Sequence, residues 1–388
     1  MEQLLKTLDD AYTVEVLKDM IRIPSVVGDE GALAEYIHTQ LSAMGLDCEL
    51  HEIEPGRSNV YAKLKGDLPG PKLHFNGHTD TVPVVEDWDT DPFTPVEKDG
   101  RLYGLGACDM KGGLACMMNL MRAFARSGYR FGGELSFSAV IDEEAYSKGA
   151  KAMMETEYGK MDAVVLAEPY PGDEEKPIPL GITGKILYDV LVKGKAAHAF
   201  SPQNGVNAVE EAGKILANLD KLHFLSHPDF GTGNYSTIKI EGGYNIYSVV
   251  VPDRCRFEIN RLLVPGETAA RAISEMEALV ESLNLESTVE VKTKPPMYEA
   301  YVMSKDAPIL QVFDSVYREV MGKAPAYVHS SGITDANVFA GEGGIDCLHL
   351  GPRRGGAHQK NEYVPLEWLP KVSEMFAMIA ARFLKAAE

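Results

Sequence analysis

Apolar positions recur along the first 180 residues in two alternating rhythms. Helical spacing runs through MEQLLKTLDDAYTVEVLKDMIRIPS, through EGALAEYIHTQLSAMG at 30–45 and through KGGLACMMNLMRAFARSG from Lys111, with a further helix near 148–158. Between them lie strand-like runs near 59–65 and 72–76, GELSFSAVID at 133–142 and DAVVLAEP at 162–169. Such strand–helix alternation predicts an α/β sheet wrapped by helices.

Between 184 and 294 the rhythm changes. A strand (KILYDVLVKG) precedes a helix (GVNAVEEAGKILANLD), two strands follow (YSTIKIEGG, DRCRFEINRLL), then a helix (GETAARAISEMEALVESLN) and a last strand (STVEVKTK). That βαββαβ order is the ferredoxin-like split motif, an α+β unit able to fold alone. After Pro295-Pro296 the α/β texture returns. The expected organisation is a discontinuous large domain, 1–183 and 295–388, with a small domain inserted at 184–294.

Length agrees: 388 residues exceed the roughly 250–300 at which a single core stops growing. A net charge of −19, from 57 acidic against 38 basic residues, argues against nucleic acid or an anionic membrane as partner. No stretch offers the ~18 consecutive apolar residues of a membrane span, and the charged N-terminus lacks the apolar core of a signal peptide. Five scattered cysteines without a CxxC pair suggest neither a disulfide scaffold nor a thiolate zinc site, and fit a reducing cytoplasm.

Candidate chemistry collects where elements of the large domain begin or end. These residues are His78 and Asp80 in NGHTDTVP, Asp109 in GACDMKGG, Glu143 and Glu144 in DEEAYSKGA, Glu168 in LAEP and His358 in GGAHQKNEY. Ligands of open α/β sheets bind at the carboxyl ends of strands. Carboxylates gathered there repel one another unless cations neutralise them, and two imidazoles among them favour zinc, manganese or cobalt over calcium. Read as extended chain, Glu143 and Glu144 point opposite ways, so one can bind a metal while the other serves as general base. Asp109 also has a plain reading as a helix cap.

GHTDTVP, GACDMKGG, DEEAYSKGA, AEP and GPRRGGAHQKNEYV, in this order and over nearly the whole chain, resemble the zinc metallopeptidase family of acetylornithine deacetylase, succinyl-diaminopimelate desuccinylase, aminoacylase and carboxypeptidase G. The resemblance implies two divalent ions per chain, zinc first, with cobalt or manganese as substitutes. His78 and Glu168 would hold one ion, Glu144 and His358 the other, and Asp109 would bridge them. Asp80 would hydrogen-bond His78 and fix its tautomer, and Glu143 would be the general base. His198, in GKAAHAFSP, would reach the oxyanion from a partner subunit, which implies a homodimer formed through the inserted lid domain. Arg261, in NRLLVPGE, would clamp a substrate carboxylate, and Gly332 and Asp335, in SSGITDAN, would line the pocket.

Three departures touch recognition. Leu105 stands where the family often has arginine, GGYNIYSVVVPD offsets the family's asparagine and leaves its part to Asn245, Ser248 or neither, and a DIR pattern reads INR. The implied activity is hydrolysis of an amide in a small N-acyl amino acid. Dipeptidase or carboxypeptidase action is the close alternative, and a non-catalytic metal-binding homologue a distant one. The remaining histidines are expected to be exposed (His38, His51, His223, His227) or packed structurally (His74, His329, His349).

Overall fold

The computed structural model describes residues 1–246 and 248–384. The chain divides into two compact units: Met1–Leu180 with Met303–Val328 and Thr334–Glu388, and Gly181–Val302 with His329–Ile333.

The large unit is built on a six-stranded mixed sheet. Its strands are β1 (Asp47–Glu54), β2 (Arg57–Lys65), β3 (Leu68–His78), β4 (Gly132–Val140), β5 (Ala163–Leu166) and, after the second unit, a sixth at Asp346–His349. Spatial order runs β1, β2, β4, β3, β5 and then that sixth strand. The first two pairings are antiparallel, while β4, β3, β5 and the sixth strand run parallel. Parallel neighbours put their carboxyl ends on one edge, and that edge carries the chemistry.

Helices Gly112–Ser127 and Trp368–Phe383 are buried almost throughout and belong to the core that includes Phe75, Phe137 and Phe376. The N-terminal stretch forms two helices, Glu2–Leu5 and Asp10–Arg22, because Asp9 leaves helical geometry and caps the second by accepting from the Tyr12 amide. β1 escapes the sequence pattern, since its DCELHEIE run is polar and only partly buried.

The second unit folds as βαββαβ with its own core. Its strands are β6 (Gly184–Lys193), β7 (Asn234–Gly242), β8 (Arg254–Leu263) and β9 (Thr288–Tyr298), which makes the sixth strand of the large sheet β10. Their order is β7, β8, β6, β9, antiparallel throughout. Its helices Ala208–Leu216 and Ala269–Ser282 start at side-chain caps from Asn207 and Thr268. β9 continues through Pro295 and Pro296 to Tyr298 rather than stopping at the prolines. Among the described residues no helix is long and apolar enough to cross a membrane.

Candidate metal centre

His78 is the last residue of β3. Glu143 and Glu144 follow the end of β4, Glu168 lies two residues past β5, and His358 is on the loop after β10. Asp109 comes from the turn at Ala107–Lys111 that leads into the buried helix Gly112–Ser127. Two glycines lock these segments together. A Cβ on Gly113 would lie 2.1 Å from the Ala167 carbonyl oxygen, and one on Gly351 would lie 2.3 Å from that of Glu168. The backbone at Ala167 and Glu168 is therefore in close contact with both the helix behind Asp109 and the loop leading to His358.

The His78 ring is fully buried, and its Nδ1 lies 2.9 Å from the backbone carbonyl of Asp80. A carbonyl only accepts, so Nδ1 carries the proton, and in the neutral ring Nε2 presents a lone pair. That lone pair points among acids: Asp109 Oδ1 at 3.4 Å, Glu168 Oε1 at 3.6 Å and Glu143 Oε2 at 3.9 Å. Neither His78 Nε2 nor Glu168 Oε1 has a hydrogen-bond partner. Asp109 turns its other oxygen, Oδ2, to His358 Nε2 at 3.5 Å, and that nitrogen is 2.8 Å from Glu144 Oε1. His358 adopts a left-handed φ of 61° at the end of the glycine-containing loop.

Burial and crowding leave two of these acids, Glu143 and Glu168, poorly able to carry charge by themselves. Burial first, and then the Glu168 charge, pushes the Glu143 carboxyl well above its usual range. Burial and Asp109 raise Glu168 to about 8. At His78 burial opposes the imidazolium, but the surrounding acids, Asp109 foremost, outweigh it. The donor set fits metal. Ligand atoms about 2.0–2.2 Å from one tetrahedral ion stand ~3.3–3.6 Å apart, which matches His78 to Asp109 and to Glu168. The candidate ligand groups are His78, Asp109 and Glu168; His78, Glu143 and Glu144; and Asp109, Glu144 and His358. Asp109 is the residue the first and third share.

The sequence pattern of peptidase family M20/M25/M40 matches residues 74–382, most of the chain. The chain belongs to this family. It is 27% identical to a succinyl-diaminopimelate desuccinylase of Legionella pneumophila (strain Corby), over 95% of this chain and 98% of that one. It is 28% identical to N-formyl-4-amino-5-aminomethyl-2-methylpyrimidine deformylase of Bacillus subtilis (strain 168), over 91% and 89%. Among solved structures it resembles Bacillus subtilis YXEP, a dinuclear metal-binding peptidase of family M20, with a TM-score of 0.69, 17% identity and coverage of 97% and 98%. This M20 protein is a metallohydrolase that acts on amides or peptides, from a family that binds paired metal ions.

Several residues sit differently from expectation. The Asp80 carboxylate does not bond the His78 ring, its nearer oxygen being 3.6 Å from Nδ1. Its two oxygens instead accept from the amides of Glu143 (3.1 Å) and Glu144 (2.9 Å). Those glutamates lie in a turn, not on extended chain; it is opened by Asp142 at a φ of 71°.

Arg261 does not fit a substrate clamp. It faces the core of its own unit, where it pairs with Glu267 (2.8 Å) and Glu275 (2.9 Å) and donates to the His223 carbonyl. Phe257, Ile259 and Leu263 of β8 are buried as it is, so strand alternation turns it inward. Asp335 has no exposed surface and so does not wall a pocket; burial raises its pKa to about 7, and its charge adds to the crowding at Glu143 and Glu168. Gly332 is exposed, and His198 is an exposed residue of the second unit whose Nδ1 accepts from the Phe200 amide.

One residue escaped the sequence altogether. Glu362, 2% exposed, accepts from the amides of Gly106 (2.9 Å), Cys108 (2.9 Å) and Asp109 (3.0 Å), and so holds the turn that presents Asp109. Its only signal was an acid four residues past His358. Behind the Glu143 turn, Arg57 bonds both Glu30 oxygens and Asp142 in a buried network that was likewise unannounced.

Proposed function

We propose that this protein is a dinuclear metal-dependent deacylase of small N-acyl amino acids. The observation that carries the reading is Asp109, whose two oxygens turn to two different histidines, His78 and His358. His78 and Glu168 would hold one ion, Glu144 and His358 the other. When bound, such ions acidify water and polarise an amide carbonyl. Glu143 accepts the water's proton and returns it to the departing amine, a role helped by a carboxyl whose proton affinity burial has raised. Asp80 holds the amides of Glu143 and Glu144 and, through its carbonyl, the tautomer of His78. The desuccinylase and deformylase relatives, which release acyl groups from amines, support deacylation over dipeptide cleavage.

We further assign a homodimer formed through the second unit, with His198 of each copy serving the other's oxyanion and the loop at Gly332 beside the substrate. Supporting this, the edge strand β7 is exposed along nearly its whole length, with Ile238 and Ile240 more than half exposed. All five cysteines are free thiols, which supports a reducing cytoplasm.

The test is amine release from N-acetyl, N-succinyl and N-formyl amino acids and from dipeptides. Zinc, manganese or cobalt is added, with chelated protein and Glu143→Ala as controls. Turnover of acyl amino acids that both controls abolish is the expected result. Preferential cleavage of dipeptides would replace deacylase by dipeptidase, and turnover that survives chelation would sink the metal reading.

A further inference from the structure

With Arg261 committed to its own core, a charged group of the substrate would need a cation of the large unit. Four lysine and arginine side chains stand on the loops that follow the adjacent parallel strands β5 and β10: Lys176, Arg353, Arg354 and, beyond His358, the exposed Lys360. Arg353 is already neutralised by Asp173 and Glu175. Lys176 and Arg354 enter no ion pair among the described residues.

Lys176 is half-buried, and its Nζ lies 4.2 Å from the centre of the Tyr170 ring. Tyr170 is two residues past Glu168, its amide donates to the Glu168 carbonyl (2.6 Å), and its own carbonyl accepts from Gly351 (3.2 Å). The two loops are thus tied together beside the acid cluster. Arg354 is exposed, four residues before His358 on the same loop. Its loop is held to Tyr170 through the Gly351 amide, three residues before it. Burial, followed by Arg354, lowers Lys176.

An ammonium partly withdrawn from water without a counter-ion is costly, and an aromatic face offsets only part of that cost. An arriving anion removes the rest. The guanidinium fork adds bidentate geometry suited to a carboxylate, and the ammonium a point charge.

We propose that Lys176 and Arg354 form a carboxylate subsite beside the metal centre, so that the enzyme selects small amides bearing an anionic group. This rests on the dinuclear reading above. The subsite would recognise a carboxylate on either side of the scissile bond, whether from a dicarboxylic acyl group or from the amino acid.

Calorimetric titration of the zinc-loaded full chain tests it, with succinate against succinamate and glutarate against glutaramate. Each pair keeps one carboxylate for the metals and differs only in the second group. Wild type should bind a diacid at least about tenfold more tightly than its monoamide, as expected for a charge-assisted contact. In the Lys176→Met, Arg354→Gln double variant the ratio should fall to within about twofold, with monoamide affinity unchanged. A ratio near one for both pairs in wild type, or one that persists in the double variant, overturns the subsite. Metal analysis of the same samples separates the two readings: two ions per chain with no ratio sinks the subsite alone, whereas wild type that binds no divalent ion sinks the dinuclear centre beneath it.

Discussion

Two regions of this molecule bury acids beside a basic side chain, and they balance the charge in opposite ways. In the second unit Arg261 meets Glu267 and Glu275, so the charges there are paired within the protein, although Arg261 Nε and Glu275 Oε2 make no hydrogen bond. At the edge of the large sheet, Asp109, Glu143, Glu144 and Glu168 pair with no lysine or arginine among the described residues. Among the described residues, the basic groups within ion-pair distance of them are the rings of His78 and His358. The difference separates structure from function. A buried charge whose partners are built in belongs to the core, and one whose partners are left out awaits something from solvent.

The largest effect is expected at the incomplete cluster. Glu143→Gln should lower kcat by about 10²–10⁴-fold, the usual contribution of a general base, while metal content stays at two ions per chain. A variant that loses its metals instead would make Glu143 a ligand.

Arg261→Met should behave oppositely. Stranding Glu267 and Glu275 should cost about 3–5 kcal/mol of stability, read as a fall in denaturant midpoint, while KM for the preferred substrate moves less than about twofold. A large KM change without destabilisation would return Arg261 to the substrate and erase the contrast. Between these extremes, Glu362→Gln disturbs three amide contacts behind Asp109. It should weaken metal binding about 10–100-fold, as loss of an outer-shell partner commonly does; titration of the protein with zinc against a competing chelator measures it.

His74 illustrates a third solution, burial in the neutral form. It is fully buried between the hydroxyls of Ser136 and Ser138, and burial lowers its pKa to about 3. The unfolded chain takes up a proton near pH 6.5 and the folded one does not. The stability tied to this residue is therefore complete above pH 6.5 and declines as pH falls toward 3. In His74→Asn that share of the acid-side decline should disappear, flattening the melting temperature between pH 6.5 and 4.5 relative to wild type.

What the sequence disclosed follows the same division. His78, Asp109, Glu144, Glu168 and His358 were visible because each ends or follows an element in a run too polar for the core around it. The βαββαβ order of the second unit was visible because apolar spacing switches period at each boundary. Glu362 was not visible, since its work is done on backbone amides, which leave no mark on side-chain pattern. Asp80 was half visible. Its nearness to His78 came from spacing, but its hold on the Glu143 turn depends on β3 and β4 lying side by side.

Arg261 was misread for a different reason. The resemblance drew attention to an arginine, while the alternation of Phe257, Ile259 and Leu263 already placed that position inward. The outward neighbour on β8 is Asn260, which is partly exposed.

The absence of a side chain at Gly113 and at Gly351 works as a gauge block. Backbone rests on backbone there, so no rotamer can relax to absorb a misfit, and the spacing between the segments carrying Asp109, Glu168 and His358 is machined into the chain. An alanine at Gly113 would lie among residues that look like ordinary core. Its signature would nonetheless be a change in which divalent ion the protein prefers, because the first dimension to drift would be the width of the cradle.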